Sequence, residues 1–159
     1  MESYIKRIRE LVGDEYLIVN ATAAVIVNEN REILLQKRSD NELWGLPGGL
    51  LEVDESIEKA LIREVKEETD LSVEIKRFIG VFSNPFMRWK KSDYAKVFAF
   101  AFEVEVKGGS LKVNDDESLE MRYFSYEELP PIHSMDTIEI IEAYYNKQYN
   151  LIEGVRYDG

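Results

Sequence analysis

Between Gly49 and Leu71 the chain reads GLLEVDESIEKALIREVKEETDL, and its second half puts carboxylates where an ordinary helix would avoid them. At about 100° per residue, Ile57, Leu61 and Val65 form one apolar stripe. Glu68 falls nearly in line with Leu61, Glu64 at the edge of the stripe, and Glu67 further round on the same side. A carboxylate on a core-facing stripe is expensive to desolvate unless a cation meets it. Glu64 and Glu68 are also like charges at i, i+4, and Glu67 and Glu68 sit in the last turn, where the helix dipole disfavours anions. Three local rules fail at one place, as is expected at functional sites. A cluster of hard oxygen donors suits a divalent ion such as Mg²⁺ or Mn²⁺. The competing reading is a solvated acidic face.

The wider stretch decides between them. Gly49, Glu55, Arg63, Glu64, Val65, Glu67, Glu68 and Leu71 fit the spacing G-x5-E-x7-R-E-U-x-E-E-x-G-U, where U is bulky and apolar. This resembles the Nudix box, the signature of the Nudix hydrolases, at eight of its nine specified positions. The departure is Asp70, where the family has Gly. That position is the expected residue after the helix, in left-handed backbone, which Asp tolerates better than most residues. The preceding Trp44-Gly45-Leu46-Pro47-Gly48-Gly49 is similar to what many Nudix hydrolases show before the box.

The resemblance implies an α/β Nudix fold, a mixed β-sheet sandwiched between α-helices (an α/β/α sandwich). It implies hydrolysis of a nucleoside diphosphate linked to another moiety, assisted by Mg²⁺, with Mn²⁺ as the alternative ion. Glu68 and Glu64 would be the main ligands, Glu67 a further ligand or the general base, and a carbonyl at Gly49 would complete the shell. Arg63 would orient the glutamates by salt bridge, a supporting role common around metal ions. In many family members a Glu just before an aromatic strand reaches the metal or acts as base. Glu117 and Glu120 are the candidates here, Glu117 first. Catalytic roles thus fall to Glu67, Glu64, Arg63 and Glu117.

Composition narrows the partners. The 159 residues suit one domain, 1–159, with 1–13 as an N-terminal helical appendage. No cysteine is present, which excludes disulfides and thiolate sites. No apolar run approaches a membrane span, and the N-terminus lacks the apolar core of a secretory signal. A cytoplasmic protein is expected. A net charge of −11 argues against nucleic-acid and anionic-membrane partners, which need basic patches. A small anionic ligand then requires local positive charge, which a bound metal would provide.

In chain order, Tyr4 to Leu11 has helical spacing of apolar residues and is stopped by Gly13-Asp14. It is expected to pack on the domain or on a second subunit, making a homodimer. Thr22–Val27 reads as a buried strand and Glu32–Arg38 as its hairpin partner. Lys37 and Arg38 precede the loop into the box, and Arg38 is a candidate phosphate contact. Trp44 is either core or a base-stacking residue. Asp54 is the expected N-cap of the box helix. Leu71–Val81 reads as a strand. Phe82 to Lys91 reads as a loop whose Phe86, Trp89 and cations suit a nucleotide. Tyr94–Val106 is a strand, turned by Gly108-Gly109. Ser125–Glu128 has the form of a capping box before Pro130-Pro131, which predicts a single helical turn. His133 has no second His or Cys to make a metal site with it. A last helix is expected from Asp136 to about Tyr149, and the tail Glu153–Gly159 is expected to be loosely held.

ADP-ribose-type compounds and nucleoside triphosphates both remain open as small-molecule substrates. The main alternative is a Nudix-fold nucleotide sensor without hydrolysis, which an altered glutamate set would favour. The isoprenoid diphosphate isomerases of this fold rely on a catalytic cysteine, which this chain lacks.

Overall fold

The computed structural model describes residues 3–89, 93–113 and 118–156. Helix α1 (Tyr4–Val12) leads into β1 (Leu17–Val25), β2 (Ile33–Arg38), β3 (Trp44–Gly45) and β4 (Gly48–Leu50). The box helix α2 (Ile57–Thr69) follows, then the long strands β5 (Leu71–Trp89) and β6 (Asp93–Gly109), and β7 (Ser118–Phe124). A 3₁₀ turn (Tyr126–Glu128), α3 (Met135–Tyr145), β8 (Leu151–Ile152) and β9 (Val155–Arg156) end the described chain.

The strands form a mixed sheet in the order β4-β1-β6-β5-β8-β9 and a smaller one in the order β3-β2-β7. Residues 23–26 of the β1 region alternate between two cores. Ala23 and Val25 face a cluster with Ile140, Ile141 and Ala143 of α3. Ala24 and Ile26 face another with Leu61 and Val65 of α2. Both faces are therefore covered by helix, which is why this stretch reads as a continuous apolar run instead of an alternating one. The layers make an α/β/α sandwich, and its core packing fixes where the face of α2 points. Among the described residues no helix is long and apolar enough to cross a membrane.

The structure corrects several expectations. The hairpin expected of Thr22–Val27 and Glu32–Arg38 pairs only near its turn, where Val27 and Ile33 form an antiparallel bridge, and β1 and β2 do not extend it into a ladder. β1 pairs with β4 and β6, whereas β2 pairs with β3 and β7. The chain crosses between sheets at Ile26 and Val27, held by the Leu34 N–H to the Ile26 carbonyl at 2.9 Å. The stretch after Phe82 is not a loop through Trp89: β5 continues, paired with β6 as far as Trp89↔Asp93. Pro85, which has no N–H for the ladder, lies inside a register shift between Asn84 and Met87, the place where a strand tolerates proline. The N-cap of α2 is Ser56, whose hydroxyl accepts the Lys59 N–H, and not Asp54. The 3₁₀ turn forms, but Ser125 makes no side-chain cap. α3 stops at Tyr145 because the chain turns at Lys147 and Asn150, both at positive φ. The tail is tied in as far as Arg156: Leu151 and Ile152 pair with Gly80 and Val81, and β9 folds back on β8, while residues 157–159 lie outside the described residues.

Candidate active site

The face of α2 is set by Leu61 and Val65, both fully buried, and the same stripe carries Glu68 inward. Glu68 is 5% exposed. Its Oε2 accepts the Gly48 N–H at 3.0 Å, so the loop before the box reaches the far end of the box helix. One turn earlier Glu64 lies under Gly49, so close that a β-carbon there would sit 2.4 Å from the Glu64 carboxyl carbon. That approach is what the second glycine of the pair permits. Thr22 donates its hydroxyl toward the Gly49 carbonyl at 3.5 Å. Asp70, the departure from the box, closes α2 in left-handed backbone at φ 64°. Lys66 and Lys112 flank its carboxylate and hold it below the usual range.

Arg63 organises the carboxylates. Its Nε and Nη2 grip both oxygens of Glu55 at 2.8 and 2.6 Å. Its Nη1 meets Glu64 at 3.0 Å and Glu67 at 3.2 Å. A forked guanidinium matches a carboxylate at two points, which fixes orientation as well as charge. Arg63 holds the Glu55 carboxyl below its usual range, and Glu55 in turn keeps the guanidinium protonated. Glu67, whose side chain is 57% exposed, is drawn to Arg63 and outward, while Glu64 and Glu68 face the cleft. Among the described residues no three His, Asp or Glu side chains gather closely enough to hold a metal ion by themselves.

Glu64, Glu68, Gly48 and Gly49 line one side of a cleft of about 580 Å³. Gln36, Arg38, Asp40, Ser118, His133, Asp136 and Thr137 line the cleft as well. Several of them are tied down. Arg38 makes a two-point bridge to Asp40 at 2.9 and 2.8 Å, which lowers the Asp40 pKa and spends much of the charge expected for phosphate. Ser118 donates to Gln36 Oε1 at 3.0 Å, and Asn84 donates to the buried Asp136 at 3.3 Å.

Trp44 does not face the cleft. It is 6% exposed, with its ring edge-on to Phe124 at 4.8 Å, so the core takes the surface a base would need. Glu117 and the side chains of Phe86 and Trp89 lie outside the described residues. Glu120 bridges Arg122 at the surface instead of reaching the cleft. Sequence reasoning set His133 aside only as a metal ligand, gave Asp136 no role in the site and did not single out Gln36, Lys6 or Arg9, all of which line the cleft. For Lys6 and Arg9 a signal existed: they are part of a local basic run, KRIR, in a strongly acidic chain.

Burial, reinforced by the Arg38 charge, pushes the His133 imidazole down to about 4 from its ordinary 6.5, against the weaker pull of Asp136 and Asp40. Between those values the unfolded chain binds a proton that the folded chain refuses. The contribution is therefore neutral above about pH 6.5 and removes roughly 3 kcal/mol of stability as the pH falls toward 4. In urea titrations at pH 7 and pH 4.5, His133→Gln should lose distinctly less stability than the wild type across that interval. Equal losses would contradict the assignment.

A model of the NUDIX domain family matches residues 18–144. The chain is 37% identical over 122 residues to an ADP-ribose pyrophosphatase of Methanocaldococcus jannaschii, covering 75% of this chain and 69% of the relative. It is 33% identical over 134 residues to an 8-oxo-dGDP phosphatase of Homo sapiens, covering 79% of this chain and 39% of that protein. A crystal structure of an ADP-ribose pyrophosphatase from Streptococcus suis matches with a TM-score of 0.66 at 28% identity, over 88% of this chain and 98% of that one.

Proposed function

The chain belongs to the NUDIX domain family, and from that membership we propose that it hydrolyses the pyrophosphate bond of ADP-ribose or a closely similar nucleoside diphosphate derivative, with Mg²⁺ held by Glu64 and Glu68. One observation carries the reading: two carboxylates of one helix face, one of them buried, share a cleft wall with a Gly-Gly loop that touches both. The donor set fits the ion. Mg²⁺ keeps several waters and takes one or two protein carboxylates plus substrate phosphates, so it does not need three gathered acids. Mn²⁺ accepts the same ligands.

When bound, such an ion neutralises phosphate charge and acidifies water for attack. The chain's own residues supply the rest. Arg63 fixes Glu64 and keeps Glu55 in place, and the Gly48 N–H orients Glu68. Neutral His133 and buried Asp136, which line the same cleft, offer hydrogen-bonding groups to the nucleoside. Water adds across the phosphorus–oxygen bond, giving a nucleoside monophosphate and the phosphorylated second group. The choice of ADP-ribose follows the M. jannaschii and S. suis relatives, both ADP-ribose pyrophosphatases; oxidised guanine nucleotides are the second reading, supported by the human relative. The net charge of −11 favours a small molecule over nucleic acid.

The test is product analysis on ADP-ribose, NADH, diadenosine polyphosphates, canonical triphosphates and oxidised guanine triphosphate, with Mg²⁺ and with chelator. AMP and ribose 5-phosphate from ADP-ribose, lost with chelator, are expected. Binding without turnover under every metal tried would make the protein a sensor and overturn the proposal.

A further inference from the structure

α1 bears on the cleft. Ile5 packs against Val19, Ala95 and Val97, which seats the helix beside Leu50 and hence beside Gly49. The Tyr4 N–H donates to Glu52 at 2.8 Å, and the Glu52 N–H donates to the Glu55 carboxylate that Arg63 grips. α1 is thus wired into the network that orients the box glutamates. On the stripe of Ile5, one turn further, stands Arg9, a half-buried cation on an inward-facing position. Its Nη1 donates to the carbonyls of Gly13 and Glu15, which fixes the guanidinium at the end of the helix. Arg9 and the exposed Lys6 line the same cleft as Glu64 and Glu68.

Arg38 lines the cleft too, bridged to Asp40. A diphosphate entering a chain of net charge −11 past two carboxylates meets strong repulsion, and a metal at Glu64 and Glu68 neutralises only the oxygens it touches. We propose that Lys6 and Arg9 are the phosphate-recognition arm of this site, taking the diphosphate oxygens turned away from the acidic helix. The inference rests on the proposed hydrolysis for its substrate class but not for its test. Arg9 supplies a planar fork and Lys6 a mobile point charge, the two usual modes of phosphate contact.

Lys6→Met, Arg9→Gln, Arg9→Lys and the Lys6→Met/Arg9→Gln double variant separate the roles. The first arm is calorimetric binding of inorganic pyrophosphate in chelator, free of divalent metal. The second is steady-state kinetics on the best nucleotide substrate. The double variant should bind pyrophosphate roughly tenfold or more weakly, with a flatter salt dependence, and raise KM by a similar factor with kcat within about twofold. Arg9→Lys should recover part of the loss. Lys6→Met guards against loosening of α1, because Lys6 is exposed, whereas Arg9 is half-buried and donates to the carbonyls at the helix end. Wild-type protein that does not bind pyrophosphate, variants that bind it as wild type does, or a fall in kcat at constant KM would each overturn the proposal. A protein that hydrolyses no nucleotide yet loses pyrophosphate binding with Lys6 and Arg9 sustains the arm while ending the hydrolase reading.

Discussion

Glu68→Gln should lower kcat on the best nucleotide by about 10³-fold, some 4 kcal/mol of barrier, while the protein melts no lower than wild type. The two halves of the result have separate causes. Glutamine keeps the shape of the side chain and an oxygen to accept the Gly48 N–H, so the 3.0 Å contact between loop and helix survives. It removes the charge, however, and a neutral amide is a poor ligand for a hard divalent cation. Glutamine also matches the buried carboxylate in volume, so the metal-free protein keeps its packing at this 5% exposed position. Thermal melts in chelator, alongside kinetics in Mg²⁺, check both. A variant with wild-type kcat would remove Glu68 from the site. One with normal kcat and a lowered melting temperature would make it a structural residue.

The adjacent glycines should fail in different ways when given a methyl group. At Gly48, φ is 152°, and a β-carbon would lie 2.0 Å from the Thr22 carbonyl oxygen. Backbone on both sides cannot yield cheaply, and strained conformation and overpacking add. Gly48→Ala should cost roughly 3 kcal/mol or more, a drop of about 6–12 °C in melting temperature for a chain of this size. At Gly49 the obstacle is the carboxyl of Glu64, the end of a flexible side chain that can swing away. Gly49→Ala should therefore keep most of its stability and lose roughly 10²-fold in kcat, as the displaced glutamate leaves its place. Differential scanning calorimetry and initial rates on both variants make the comparison. Similar melting and similar rates in the two would contradict the assigned contacts.

The acidic helix was legible in the sequence because its evidence is local. Stripe, spacing and last-turn position all follow from 3.6 residues per turn, and the apolar run Thr22–Val27 told of a buried strand. The left-handed cap at Asp70 was legible for the same reason. What sequence could not show depends on distant partners. Gln36 meets Ser118 and Asn84 meets Asp136 only through the sheet order, and that order places their wall of the cleft. Trp44 beside a glycine-rich loop left core and base-stacking both open. Phe124, from the strand on the other side of β2, is what draws it into the core. Phe82 to Lys91 read as a loop, because the register shift that accommodates Pro85 in a strand belongs to the pairing with β6. Arg38 is the intermediate case. Its partner Asp40 was two residues away in plain view, yet the bridge that engages its charge required the bend of the strand end.

The most direct measurement is uptake of Mn²⁺, read as loss of the free-ion electron paramagnetic resonance signal, with AMP present to complete the oxygen shell. Wild-type protein should take up the ion, and Glu64→Gln and Glu68→Gln should each lose that uptake while remaining folded. Equal uptake by all three proteins would place the metal elsewhere and contradict the central claim that these two carboxylates hold it.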